Sequence, residues 1–304
     1  MKFMAYSRLE WHMLEGYRIN VVVPARDEAQ HIQKVVSTIP EFVDRTIVVD
    51  DGSIDGTSEL CKGVELIRLE GEGVGAAIDA GHQRLVETEE NAFISCVMAG
   101  DGQMDPEDLE GLCRKAIAGI HHVKGDRTQH PDGLKRMPVN RRIGTAILAF
   151  LTSLACGRTI KDPQCGYTAT RCEVLRNWNW EKSWKGYGYP NWWLMELTKR
   201  GYSISHHPVR AIYGSEKSGL KINSFMTKVS PMLFKGLHAR VIGWRSWNPL
   251  FLSILLLYSL GWFGVIASIV IKEPLLLFSI PIFWSVAHLL DKIWVSQKVG
   301  VHHG

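Results

Sequence analysis

The chain has 304 residues, 22% of them charged, with Lys+Arg 35 against Asp+Glu 31 and a formal net charge of +4. This composition excludes intrinsic disorder, suits one large domain or two modest ones with a buried core, and gives no sign of a nucleic-acid partner. The six cysteines, at 61, 96, 113, 156, 165 and 172, form neither a Cys-x-x-Cys pair nor a zinc-ligand cluster; reduced, buried thiols in a cytosol-facing protein are expected, not a disulfide framework.

Residues 1–18 lack the continuous apolar core of a secretory signal. The runs "INVVVPA" at 19–25, "RTIVVDDGSIDGT" at 45–57, "VELIRLE" at 64–70 and "AFISCVMAGD" at 92–101 start β-branched or apolar and end in small or acidic residues. This is the pattern of strands buried on both faces. Helix-like stretches at 28–39, 57–62, 75–88 and 106–118 alternate with them. The expected class is therefore α/β, a largely parallel sheet flanked by helices. In such sheets ligands sit beyond the carboxyl ends of the strands, so residues 25–28, 50–55, 71–75 and 100–105 should line one crevice.

Within "EGEGVGAAIDAG", Gly71-x-Gly73-x-x-Ala76 formally matches a dinucleotide fingerprint. It follows two complete strand-helix units instead of the first strand. A glycine turn at Gly73 and Gly75 lying under a nucleotide or its sugar is the better reading. Further on, "VKGDR" at 123–127 ends a strand in a cation and "NRR" at 140–142 supplies more. Guanidinium forks suit phosphate oxygens, so Arg127 with Arg141 or Arg142 is a candidate for a phosphate site. Each alone reads equally as a solvated surface charge. Residues 140–157 place Ile143, Ile147, Phe150, Leu151 and Leu154 on one helical face, too short to span a bilayer. Packing on the sheet is expected, with contact to a lipid acceptor as the alternative.

Residues 222–246 mix Phe, Met, Leu and Trp with Lys and Arg, as helices at a membrane interface do. Residues 248–271 are apolar all round and uncharged, and 274–290 form a second, shorter apolar run. Together they read as a two-helix transmembrane hairpin. Lys228, Lys235, Arg240 and Arg245 precede it, Lys292 and Lys298 follow it, and one Lys lies in the turn. By the positive-inside rule both termini and the remainder of the chain face the cytoplasm. The expected organisation is 1–221 as a cytoplasmic domain, 222–246 as juxtamembrane amphipathic helices, and 247–304 as the hairpin with a short tail.

"VVVPARDEAQHI", "VVDDGSIDGT", "GEGVGAAIDAG" and "MAGDGQMDPEDL", in this order and spacing, resemble the family 2 glycosyltransferases of GT-A fold, over roughly residues 18 to 220. More narrowly, the chain resembles the polyprenyl-phosphate sugar transferases, the dolichyl-phosphate mannose and glucose synthase group, whose hairpin-bearing members match the two apolar runs. The resemblance implies inverting transfer of one sugar from a UDP- or GDP-hexose, UDP favoured, to a polyprenyl or dolichyl phosphate at the cytoplasmic face of the cell membrane, with Mg²⁺ or Mn²⁺ as cofactor. It places Pro24, Arg26 and Glu28 beside base and ribose, Asp50 on the base ring, and Asp51, Ser53, Gly73, Gly75 and Gly100 in the same nucleotide-sugar set. Asp101 matches the last acid of the family's Asp-x-Asp metal motif and Gln103 a further metal-reaching residue, whereas Ala99 stands where the first acid would be. Asp101 and Arg127 are the implied catalytic residues. Asp162 and Gln164, in "DPQCGYTATR", would face the sugar. Arg127, Arg141, Arg142, Arg210 and Lys217 are candidates for the acceptor phosphate, and Glu196 is placed on a helix near the substrate or in the core. Transfer to another lipid or polysaccharide, a non-catalytic membrane-anchored nucleotide-sugar-binding protein, and homo-oligomerisation stay open at this point.

Overall fold

A computed structural model describes residues 13–130, 139–186, 188–212 and 222–299. The β-branched runs become strands: β1 (Met13–Leu14), β2 (Tyr17–Ala25), β3 (Arg45–Asp50), β4 (Glu65–Arg68) and β5 (Phe93–Val97), then β6 (His122–Asp126), β7 (Thr168–Arg171) and β8 (Ile204–Pro208). Helices α1 (Ile32–Ser37), α2 (Thr57–Leu60), α3 (Val74–Thr88) and α4 (Leu109–Ile117) fill the intervals between β2 and β6. They are followed by α5 (Val139–Cys156), α6 (Cys172–Arg176), α7 (Tyr189–Lys199), α8 (Ile222–Gly243), α9 (Pro249–Ile271) and α10 (Ser279–Val299).

The sheet runs β4-β3-β2-β5-β7-β6-β8, with β1 paired to the start of β2. From β4 to β5 all neighbours are parallel, and β8 is parallel to β6. The sheet is nonetheless mixed, because β7 runs antiparallel to both β5 and β6. Its first residue, Thr168, pairs with Val97 at the carboxyl end of β5. The reversal therefore brings segment 162–166 to the edge where β2, β3 and β5 end.

Alternation along β2 sends successive side chains to opposite faces. Ile19, Val21 and Val23 join Leu109, Leu112 and Ile32 on one side, and Val22 joins Ile47, Leu85 and Trp193 on the other, all buried. Each such apolar side chain contributes about 1.5–3 kcal/mol relative to exposure. The six cysteines are free and buried.

Helix α5 departs from expectation. Leu148, Ala155 and Cys156 enter a third core with Leu194 of α7 and Leu237 of α8, while Ile143, Ile147 and Phe150 stay about half exposed. The helices around it, not the sheet, receive its buried face, because α4 and α1 cover one side of the sheet and α3, α6 and α7 the other. Residues 222–243 form one continuous helix, α8, with Pro231 inside it. Helix α9 is 23 residues long, about 35 Å at 1.5 Å per residue, against roughly 30 Å of bilayer hydrocarbon. The segments Pro249–Ile271 and Pro274–Val299 are both long and apolar enough to cross a membrane. They pack as a hairpin in which Gly261 and Gly264 leave room for Trp284 and Ser279; a Cβ at either glycine would collide with them.

Candidate active site

Beyond the carboxyl ends of β2, β3, β4 and β5, the loops are bonded to one another. The Asp27 N–H donates to Ser53 Oγ at 2.9 Å, the Glu28 N–H to Thr57 Oγ1 at 2.8 Å, and the Ala29 N–H to Asp55 at 2.9 Å. In return the Ile54 N–H donates to Asp27 at 2.9 Å. Asp27 adopts φ +55° to do so, a left-handed conformation that short acids tolerate better than most residues. Sequence reasoning named Arg26 and Glu28 but missed Asp27 and Asp55; for Asp55 the flanking Gly and Ser residues of 51–57 are a turn signal. Pro24 is buried in β2 and meets this edge through its carbonyl, which accepts from the Gly100 N–H at 3.0 Å.

Asp50 and Asp51 divide their work. Asp50 is fully buried and accepts from the N–H and hydroxyl of Ser53, at 2.8 and 2.5 Å, and from the Ser58 hydroxyl. Burial opposes its charge, yet these hydrogen bonds outweigh burial and hold its carboxyl below the ordinary value. The carboxylate of Asp50, expected on the base ring, is thus engaged by the serines of its own loop. Asp51 points the other way and accepts from the Glu72 and Gly73 N–H groups at 2.7 and 2.9 Å, with Arg26 at 3.6 Å.

The glycine turn is shaped by a neighbouring segment. A Cβ at Gly73 would lie 2.5 Å from the Lys185 carbonyl oxygen, and one at Gly75 would collide with that of Trp184. The Gly75 N–H donates to the Lys185 carbonyl at 2.8 Å. Gly73 and Gly75, expected under a nucleotide, therefore admit the close approach of the 184–186 segment. One turn further along α3, buried Asp79 accepts from Tyr189 Oη at 2.9 Å, and burial raises its carboxyl to about 6.

At the end of β5, Asp101 is half-buried and its Oδ1 accepts from the Gln103 N–H at 3.0 Å. Gly102 between them turns with φ +72°. The adjacent Ala99 N–H donates to Met104 Sδ at 3.2 Å. Among the described residues no group of three or more His, Cys, Asp or Glu side chains is placed to cage a metal. What stands here is one carboxylate and one amide two residues apart, hard oxygen donors. That set suits Mg²⁺ or Mn²⁺, which commonly bind through one or two carboxylates and complete their shell with phosphate oxygens and water.

The expected phosphate-binding arginines separate. Arg127 Nε and Nη2 lie 2.7 and 2.9 Å from the two oxygens of fully buried Asp162. Burial opposes the charge of Asp162, and Arg127 outweighs it and lowers its carboxyl. Asp162, expected to face the sugar, therefore fixes the guanidinium of Arg127. Gln164 donates to Asn191 of α7, which donates to Thr152 of α5 at 2.7 Å. Arg210, expected at an acceptor phosphate, is held instead by Asp105, Glu107 and Asp108 at 3.2, 2.7 and 3.4 Å. Three surrounding carboxylates make that place unfavourable for a further anion. The strand-like residues after β8 bridge Met104 to Ala211, and the Ile212 N–H donates to the Gln103 carbonyl at 3.2 Å. Arg210 thus pins the segment leading from β8 against the Asp101 loop. Arg142 lies on α5 and is partly exposed. The side chain of Arg141, and Lys217 altogether, lie outside the described residues. Glu196 on α7 faces Lys199 and Arg200 at 3.5 and 3.9 Å.

Comparison with known proteins agrees with this geometry. Residues 20–178 match the family described as Glycosyl transferase family 2. A UDP-N-acetylglucosamine–dolichyl-phosphate N-acetylglucosaminyltransferase of Methanococcus voltae is 28% identical over 217 residues, covering 64% of this chain and 86% of that one. The polyprenol monophosphomannose synthase of Mycolicibacterium smegmatis is 26% identical over 235 residues, covering 72% and 88%. Among solved structures, glucosyl-3-phosphoglycerate synthase from Mycobacterium tuberculosis with Mg²⁺ and UDP superposes with TM-score 0.54 at 21% identity, over 74% of this chain and 80% of that one. At that identity the likeness concerns the fold, which is of GT-A type.

Proposed function

The chain belongs to glycosyl transferase family 2, and on that premise we propose that it transfers a single sugar from a nucleotide sugar, UDP-linked by preference, to a polyprenyl phosphate. The observation that carries this reading is the convergence of Asp51, Asp101 and the glycine turn at one sheet edge, in a chain that continues into two bilayer-length apolar helices. The two named relatives act on dolichyl and polyprenol substrates by their descriptions, which supports a lipid phosphate as the acceptor.

In the proposed reaction an oxygen of the acceptor phosphate attacks the anomeric carbon, and the bond to the nucleotide diphosphate breaks with its electron pair leaving on the diphosphate oxygen. Attack from the opposite face inverts the configuration. The acceptor is already anionic near neutral pH, so no strong base is needed; alignment and charge stabilisation carry the rate. Asp101 and Gln103 would hold the divalent cation. Bound there, it would neutralise charge on the departing diphosphate. Asp51 keeps the glycine turn in place, and Arg127, oriented by Asp162, presents positive charge at the end of β6. The hairpin would anchor this edge at the membrane, with the catalytic part cytoplasmic.

The test is nucleotide release by full-length protein in detergent, with each of a panel of UDP- and GDP-sugars, in the presence and absence of a polyprenyl phosphate and of EDTA. Release that requires both one donor and the lipid phosphate, and that EDTA abolishes, is the expected result. Release with diacylglycerol and not with polyprenyl phosphate would overturn the acceptor assignment.

A further inference from the structure

Helix α8 shows three faces. Leu233, Leu237 and Val241 enter the core shared with α5 and α7. Phe234 and His238 face the hairpin, where Trp262 donates to His238 Nε2 at 3.0 Å. The third face, about a quarter to a third of a turn away at 100° per residue, lines a groove of about 330 Å³ between α7 and α8.

The walls of this groove include Trp184, Trp192 and Met232, and its cations are Lys199, Lys228, Lys235 and Arg240, the last already paired with buried Asp291. Its one carboxylate, Glu196, is answered by Lys199 and Arg200 of its own helix. Exposed Lys228 and Lys235, seven residues apart, bring two further positive charges to the same mouth. Apolar walls under a cationic rim complement an anionic amphiphile: the phosphate meets the ammonium groups and an acyl chain lies along tryptophan and methionine. Position favours the bilayer as the source, because the groove flanks the helix face that packs on the hairpin, and tryptophans are enriched at the headgroup level.

We propose that this groove binds the headgroup and proximal chain of an anionic bilayer phospholipid. The proposal rests on the membrane reading of the hairpin. It also has a route to the active site. Trp184, in the groove wall, begins the segment whose Lys185 carbonyl accepts from Gly75, and Lys185 pairs with Glu72 at 3.1 Å. Ordering Trp184 would order the glycine turn that Asp51 holds, so an occupied groove favours donor binding.

The experiment uses the full chain in nanodiscs of phosphatidylcholine with or without phosphatidylglycerol, followed by native mass spectrometry of the lipids retained on release. Wild type should retain phosphatidylglycerol over phosphatidylcholine. The pair Lys228→Gln/Lys235→Gln should lose that preference on the order of 25-fold, from about fivefold per lysine, and should raise the donor KM in phosphatidylglycerol discs. Ala239→Glu, which adds an acid at an exposed groove position, should do the same. The charge-matched pair Lys292→Gln/Lys298→Gln should retain the lipid. Equal loss in both lysine pairs, no preference in wild type, or displacement of phosphatidylglycerol by equimolar polyprenyl phosphate would overturn the proposal. Flotation with phosphatidylcholine vesicles separates the two readings: protein that does not float refutes the membrane anchor itself, whereas protein that floats without lipid preference refutes only the groove.

Discussion

In the proposed reaction Asp101 is the residue on which the chemistry turns, because Ala99 leaves it as the one acid of its motif. Asp101→Asn keeps the size of the side chain and an acceptor for the Gln103 N–H while removing the charge. Its turnover should fall on the order of 100-fold or more, with an unchanged unfolding transition; a cooperative fold lost in parallel with activity would make Asp101 structural. A second residue-scale prediction concerns Asp79. Its carboxyl sits at about 6 in the folded chain against the ordinary 3.8, with burial the main cause. Between those values the folded state keeps a proton that the unfolded state releases, so stability falls as pH rises from about 4 to about 6 and levels off above. Asp79→Asn should remove this loss and be the more stable form above pH 6, by on the order of 2–3 kcal/mol, with the difference vanishing near pH 4 in urea titrations. Motif order made the placement of Asp51, Asp101 and Gln103 at one sheet edge legible from the sequence. The inward turn of Asp50, the engagement of Arg127 by Asp162 and the capture of Arg210 by three acids were not legible. Asp50 is met within its own loop by Ser53 and Ser58, whereas the two arginines depend on which acid reaches the charge first across 35 or about a hundred residues of chain.

At the scale of elements, the strands announce themselves through β-branched runs, and every one of the first four apolar runs is a strand. What local pattern could not give is the direction of β7, which follows from where α5 and segment 157–167 deliver the chain, and the surface that receives α5. The seam that joins these elements is equally nonlocal. Arg240 of α8 lies 2.6 and 2.9 Å from the carboxylate of Asp291 on α10, donates to the Leu154 and Ala155 carbonyls at the end of α5, and shares Asp291 with Tyr258 of α9. Both charged groups are buried. Arg240→Met strands the Asp291 charge and should cost about 3–5 kcal/mol, whereas Arg240→Met with Asp291→Leu should recover most of it. A double-mutant cycle by thermal unfolding in detergent reads this directly, and additive losses would show that the pair is not coupled. Gly75→Ala is a parallel probe of the 184–186 contact: overpacking against the Trp184 carbonyl should cost about 1–3 kcal/mol and weaken donor binding.

For the whole molecule, the sheet edge, the 184–186 segment and α8 form a continuous path from the glycine turn to the hairpin. For the proposed reaction, that path would bring a soluble donor and a membrane-embedded acceptor together at one protein. If both ends of the hairpin are cytoplasmic, a cysteine at Lys272 in an otherwise unreactive background should be labelled by an impermeant maleimide only from the opposite side; labelling from the cytoplasmic side would contradict a spanning hairpin. The central claim is the reaction itself. Its most direct measurement is mass spectrometry of the lipid fraction after full-length protein is incubated with a polyprenyl phosphate, a divalent cation and the nucleotide sugar that supports nucleotide release. The account predicts a single new species, the lipid phosphate plus one sugar residue, made by wild type and lost with Asp101→Asn. An unaltered lipid phosphate despite consumption of the donor, or a ladder of several sugars added to one lipid, would contradict it.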